Sequence, residues 1–371
     1  MILNRFYNLL KASTVIVLLI ISLGFSQELR SQDIHFSQFY NSPLNLNPAL
    51  TGIINAEQRA TIHYRNQWAA IAGASAYNTF SASYDRRVEV GTTDFFGIGG
   101  TLYNDVAGDS NFGTTQARVS FAYTRKIAGD WGKQVRKNLK KSGLYLSIGA
   151  DAGVSQRRLN PGDLRWPSQV RNGVFSPTDG FNEIIPNGSF LYPDINGGIL
   201  LYGLDQRENS FYIGAALHHL NQANISFLNR QESLFSRLTI HAGAEYRLNR
   251  TISIVPNFVY ISQGPHLEVL PGSAIRFNTG EYEGIKDFFE LGLWARIVKN
   301  ASPNGGSSTS IGNDAIVIYS KFSFSNYSIG FSYDFNTSSL SQAATANGAF
   351  ELSLTYLLFD PNFKGYLSPR F

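Results

Sequence analysis

The 371-residue chain contains no cysteine. It therefore has no thiol for a lipid anchor and no disulfide, and its stability must come from backbone pairing and packing. After residue 26 it also lacks any apolar stretch approaching the roughly 20 residues of a membrane-spanning helix, which excludes a helical membrane protein. Charged residues are scarce, at 16%, below the usual share in soluble proteins. No basic run interleaves with aromatics, so a net charge of +4 does not point to a nucleic-acid partner. Catalytic signatures are missing too: G-x-S-x-G, H-E-x-x-H and the phosphate-binding P-loop do not occur. The expectation is a non-enzyme without cofactor or metal.

What is present begins with Arg5 and Lys11 around the apolar run Val15–Ile21, followed by Ser22, Gly24 and Ser26. This pattern reads as a signal peptide over residues 1–26, too short in its apolar part to anchor as a helix. Its removal takes Arg5 and Lys11 and no acid, leaving a net charge of +2. Aromatics reach 13%, with 27 Phe and 19 Tyr, alongside 34 Gly. Mean hydropathy is nonetheless only −0.13. A transmembrane β-barrel reconciles the two values, because only alternate residues meet lipid.

Period-two alternation is the main positive signal. In 144–154, Leu144, Leu146, Ile148, Ala150, Ala152 and Val154 oppose Tyr145, Ser147, Gly149, Asp151 and Gly153. In 238–247, Leu238, Ile240, Ala242, Ala244 and Tyr246 oppose Thr239, His241, Gly243, Glu245 and Arg247. The polar faces imply a wet lumen. The same reading predicts strands at 59–67, 77–86, 95–104, 113–126, 143–156, 194–204, 209–220, 236–248, 250–262, 269–278, 287–299, 314–324, 326–335 and 348–359. The first, ninth, tenth and twelfth alternate poorly. The fold class expected is all-β, an antiparallel transmembrane barrel of about fourteen strands. It places the barrel at 59–359, an N-terminal periplasmic or plug arm at 27–58 and a periplasmic tail at 360–371. Long connections follow odd-numbered strands, as expected for outward loops. The basic connection 127–142 is the exception.

Asp151, His241, Glu245, Arg247, Asp334 and Glu351 are expected as a polar network bracing the lumen. His218 and His219 are read as projecting to opposite strand faces, unable to share a metal. Gly97, Gly99 and Gly100 read as strand glycines permitting curvature or close backbone approach. The segment Phe36 to Gly52, FSQFYNSPLNLNPALTG, does not alternate, and Pro43 and Pro48 bar regular ladder pairing. It is expected to plug the barrel or bind a partner through Phe36, Gln38, Phe39, Tyr40, Pro43, Leu44, Asn47, Pro48, Ala49 and Gly52, with Asn45, Leu46 and Thr51 assisting.

Residues 33–52, DIHFSQFYNSPLNLNPALTG, closely resemble the mature N-terminus of the PorP/SprF family of type IX secretion system proteins of Bacteroidetes. The resemblance continues through His63–Trp68 (HYRNQW), Gly143–Gly153, Gln263-Gly264, Leu291–Arg296 (LGLWAR), Ile329–Asp334 (IGFSYD) and Glu351–Tyr356 (ELSLTY). It departs at Ser368, where relatives often carry a cysteine. The resemblance implies an outer-membrane component that works with the type IX machinery to export specific large adhesins and anchor them at the surface through their C-terminal regions. In gliding species these include motility adhesins. A passive porin or solute channel remains the alternative reading; a barrel enzyme would need a Ser/His/Asp cluster near the rim.

Overall fold

Alternating sequence becomes alternating exposure. The computed structural model describes residues 33, 35–67, 76–90, 93–108, 110–129, 142–164, 166–171, 174–176, 185, 188–205, 209–228, 230–282, 285–300, 310–337, 347–359 and 369. Fourteen long strands run through them: β1 (Gln58–Gln67), β2 (Tyr77–Val90), β3 (Asp94–Ala107), β4 (Phe112–Ala128), β5 (Gly143–Arg158), β6 (Ser189–Leu204) and β7 (Ser210–His218) form the first half. The second half is β8 (Arg237–Arg247), β9 (Ile252–Gln263), β10 (His266–Tyr282), β11 (Ile285–Asn300), β12 (Ser310–Phe324), β13 (Tyr327–Asn336) and β14 (Asn347–Leu358). Each strand pairs antiparallel with the next, and β1 meets β14 to close the barrel, with Arg65 opposite Glu351. Closure leaves no unpaired edge, the condition for crossing lipid with strands. A separate two-residue ladder joins Val170–Arg171 to Val174–Phe175.

The outer face is apolar, with Ile98, Leu102, Val119, Phe121, Ile148, Ile318, Phe322 and Phe331 all exposed. Loop asymmetry orients the barrel. The connections 159–188 and 219–236 follow odd-numbered β5 and β7, whereas even-numbered β8 and β12 turn within 248–251 and 325–326. The end bearing the long connections faces outward. The signal-peptide expectation, the basic stretch 130–141 and most of the tail lie outside the described residues.

The wet lumen of the sequence reading needs correction. From β9 to β12 the inward faces carry Val255, Val259, Ile261, Leu270, Ala274, Trp294, Val317 and Tyr319, all buried. They join Phe39, Tyr40, Leu46, Ala49, Leu50 and Ile53 of the arm in one apolar core. The ninth, tenth and twelfth strands alternate poorly for this reason. Many of their inward side chains face packed protein rather than water, so apolar residues fall on both faces, interspersed inward with buried polar groups such as Asn257, Arg276 and Lys321.

Candidate functional site

The arm occupies the lumen and runs along it from the outward to the inward end. Its first described residue, Asp33, donates its backbone N–H to Gln263 Oε1 at 2.9 Å. Gln263 is the last residue of β9, an outward end. Further along, Asn41 Nδ2 donates to Ser353 Oγ at 3.0 Å and Lys321 Nζ donates to Asn41 Oδ1 at 2.8 Å. At the inward end Gly52 N donates to Asp85 Oδ2 at 2.8 Å, and Arg59 clamps the same carboxylate with two 2.9 Å bonds. Local sequence keeps the arm off the barrel ladder. Pro43 opens a one-turn helix, Pro43–Leu46, and Pro48 opens a 3-10 turn, Pro48–Leu50. Proline fits these first positions, where its missing N–H costs nothing. Asn47 Oδ1 caps the second turn from Ala49 N at 2.9 Å.

The arm's upper half is held by a buried charge cluster. Glu351 accepts from Ser37 N at 2.7 Å and from Gln38 N at 2.9 Å. His63 Nε2 lies 3.2 Å from Oε2, the oxygen that also accepts from Gln38, and Arg65 pairs with Oε1. Asp334 accepts from Ser37 Oγ at 2.9 Å, from Arg65 at 3.1 Å and from Arg296 at 2.7 Å. Phe36 stacks on His63 with centroids 4.0 Å apart. Arg296 and Asp334 each adjoin a register shift, in β11 and β13. Such bulges re-aim side chains. Tyr40 packs against Trp294 and Tyr319, at centroid distances of 5.6 and 5.2 Å.

The lower half sits on wall glycines. A Cβ at Gly97 would collide with the Thr51 carbonyl, one at Gly198 with Asn47 Oδ1, and one at Gly149 would come within 2.5 Å of Ala49 N. Close backbone approach therefore explains Gly97, and Gly52 itself has φ +76°, a value L side chains rarely adopt.

The residues expected in one lumen network fall into several clusters. Asp334 and Glu351 share the cluster above. Glu245 pairs with Arg276 at 2.7 Å, alongside Glu290 at 2.8 Å. Asp151 meets Arg118 at 3.3 Å and Asn196 at 2.5 Å. His241 Nε2 lies 3.0 Å from Asn47 Nδ2. Arg247 stands apart at the inward rim, where its backbone N donates to Asn209 Oδ1 at 2.8 Å. In the arm Phe36, Gln38, Phe39, Tyr40, Pro43, Leu44, Asn47, Pro48, Ala49 and Gly52 are all buried, and Leu44 is 1% exposed. Phe36 and Phe39 also border a cavity toward the outward end.

The reading of His218 and His219 is also corrected. β7 ends at His218, and His219 turns with φ +57°, so both rings are buried on the lumen side, 6.3 Å apart. His218 reaches the Leu46 carbonyl at 3.3 Å, while His219 bridges Asp194 at 2.7 Å and Asp33 at 2.5 Å. Burial alone would lower the His219 pKa, but the Asp33 and Asp194 carboxylates outweigh it and raise it to about 9. Among the described residues no group of three or more His, Asp or Glu side chains could hold a metal ion.

Toward the outward end, alongside the arm residues Phe36, Phe39, Asn45 and Leu46, lies a cavity of about 110 Å³ bordered also by Asp33, Tyr103, Asp105, Arg157, Tyr192 and Arg237.

The family model for the type IX secretion system membrane protein PorP/SprF matches residues 28–356, nearly the whole chain. The chain belongs to the PorP/SprF family. It is an outer-membrane β-barrel of type IX secretion. No curated protein matches it. Among solved structures, the toluene transporter TbuX of Ralstonia pickettii is 11% identical, covering 86% of this chain and 94% of its own at a TM-score of 0.44. The CymD monoaromatic hydrocarbon channel is also 11% identical, with 86% and 93% covered and a TM-score of 0.43. A mutant porin of Rh. blastica is 8% identical, with 81% and 98% covered and a TM-score of 0.29. Likeness of that degree says nothing about what this PorP/SprF barrel binds.

Several positions that hold the arm in this PorP/SprF chain escaped the residue-by-residue reading: His63, Arg65, Gln263, Trp294 and Arg296. Each stands in a stretch that carried the family resemblance, and each touches the arm or the cluster holding it. The shared signal was that these scattered stretches converge on one element.

Proposed function

We propose that this barrel is a plugged, non-catalytic receptor that works beside the type IX export machinery. It holds the C-terminal region of specific large adhesins at the cell surface, including motility adhesins in a gliding species. The observation that carries this reading is the arm, whose packing along the lumen leaves no route for a polypeptide through the barrel. Cargo must then cross elsewhere and meet this protein from outside. The long outward connections and the cavity beside the upper arm are the surfaces available to it.

The test is to delete the gene and compare surface-exposed proteins by mass spectrometry with those of the parent and of a complemented strain. Loss of a discrete set of large proteins, restored on complementation, supports the reading. An unchanged surface proteome rejects it, and steady conductance of the purified barrel would favour a porin instead.

A further inference from the structure

The lumen arginines are paired with carboxylates almost throughout. Arg59 holds Asp85, Arg65 holds Asp334 and Glu351, Arg118 holds Asp151, Arg276 holds Glu245 and Glu290, and Arg296 holds Asp334. Arg237 lies 3.6 Å from Asp33. Arg157 faces a ring, as Arg87 does over Phe95. It points inward near the outward end of β5 and is only 8% exposed, and its Nε, like those of Arg118 and Arg296, is buried without a hydrogen-bond partner. Its guanidinium carbon lies 5.0 Å from the centre of the Phe112 ring, and Tyr192 is close enough to feel its charge. Removing a charge from water without an anion is costly. A cation–π contact offsets only a part of that cost.

That guanidinium lines the outward cavity, with Phe112, Tyr103 and Tyr192 as aromatic walls. We infer that the cavity receives the free C-terminal carboxylate of an extended peptide, with Arg157 as its anchor. This rests on the reading of the protein as a receptor for cargo C-termini. Guanidinium binds carboxylate through two parallel hydrogen bonds, a geometry that discriminates against an amide. The volume, about 110 Å³, is somewhat below the roughly 150 Å³ that admits benzene. It suits a chain end and part of one side chain rather than a folded segment. Asp105 borders the same cavity, its Oδ1 accepting from Thr79 at 2.6 Å. This carboxylate repels a dianion such as phosphate more strongly than a monoanionic chain end and can accept a peptide N–H. Capture of a C-terminal carboxylate is an established mode of peptide recognition.

The full-length barrel is purified in detergent and probed by saturation-transfer NMR with N-acetylalanine, its amide and inorganic phosphate. The acid should bind, the amide should bind at least tenfold more weakly, and Arg157→Gln should abolish the preference, with Arg157→Lys intermediate. Equal binding of acid and amide, retention of the preference in Arg157→Gln, or displacement of the acid by equimolar phosphate would overturn the assignment. In cells, cargo is defined as the surface proteins lost on deletion of the gene. Arg157→Gln should lose the same set while barrel abundance and heat-modifiability stay normal. Cargo retained by that variant rejects the cavity assignment alone, whereas a deletion that loses no surface protein rejects the receptor reading and leaves the probe titration to judge the cavity.

Discussion

Asp33 and His219, 186 residues apart in sequence, meet at 2.5 Å at the outward end of the lumen. His219 also carries Asp194, and Arg237 lies 3.6 Å from the same Asp33 oxygen. The tie depends on pH in a definite direction. The His219 pKa stands above its ordinary value, at about 9, so its contribution is full below about pH 6.5 and is lost as pH rises through 9. For Asp33, burial works to raise the pKa, but His219 and Arg237 prevail and hold it well below the usual carboxylate range. Its contribution is present above about pH 4 and fades only in strong acid. Hydrogen exchange of the arm's outer end, corrected for intrinsic rates, should be slowest between about pH 4 and 6.5 and accelerate above 9. In His219→Gln the alkaline step should disappear. A profile flat through pH 10 in the parent would contradict the coupling.

The same contact sets the direction of the arm. With Asp33 at the outward end and Gly52 against the inward residues Asp85 and Gly97, the described arm runs down the lumen from outside to inside. An epitope inserted immediately before Asp33 should be labelled by antibody on intact cells. An epitope after Leu358 should need permeabilised cells. The reverse pattern would invert the barrel and remove the outward cavity from the surface.

The barrel was legible because lipid and protein face alternate residues. All fourteen strands fall close to their expected ranges, and even the count survives the four weakly alternating segments. The content of the lumen was less legible. Period two reports that a face differs from its neighbour, but Val255, Val259 and Val317 look like lipid-facing residues in a one-dimensional pattern. Only the arm opposite them explains their orientation. Arg65, Arg276 and Arg296 were equally opaque, because their carboxylate partners lie on other strands and the registers that align them cannot be read from spacing.

The wall glycines give a paired test. Gly97→Ala places a Cβ against the Thr51 carbonyl, whereas at Gly100 the nearest contact would be 3.6 Å away, at the Arg118 carbonyl. Overpacking of this kind costs about 1–3 kcal/mol. The temperature at which the barrel loses its compact electrophoretic form should fall in Gly97→Ala and stay within error in Gly100→Ala. Equal behaviour of the two variants would show that the arm does not press on Gly97.

Conductance separates a plug from a channel. With Phe39, Tyr40, Leu46 and Ile53 packed into the apolar core of the lumen, the intact barrel should show no steady open steps in planar bilayers. Removing residues 33–52 while keeping residues 53–57, including the Glu57 backbone bond to Leu358, should give regular ohmic steps. Steady conduction by the intact protein would mean that a continuous water path bypasses the arm.

Glu351 is the residue on which the upper arm depends most. It accepts both backbone N–H groups of Ser37 and Gln38 and faces Arg65 and His63 in a site of zero measurable exposure. Removing one partner of a buried ion pair costs about 3–5 kcal/mol, because the surviving charge stays desolvated. Glu351→Ala should therefore release the arm before the wall: the strands remain closed by the backbone ladder of β1 and β14, whose bonds do not involve the carboxylate. The expected result is protease cleavage within 36–42 of a variant that still migrates as a folded barrel at low temperature. Glu351→Gln keeps an acceptor for the two amides but loses the charge facing Arg65, so its cleavage rate should be intermediate. If Glu351→Ala unfolds wall and arm in a single transition, the cluster braces the barrel itself, and the arm is not separately held.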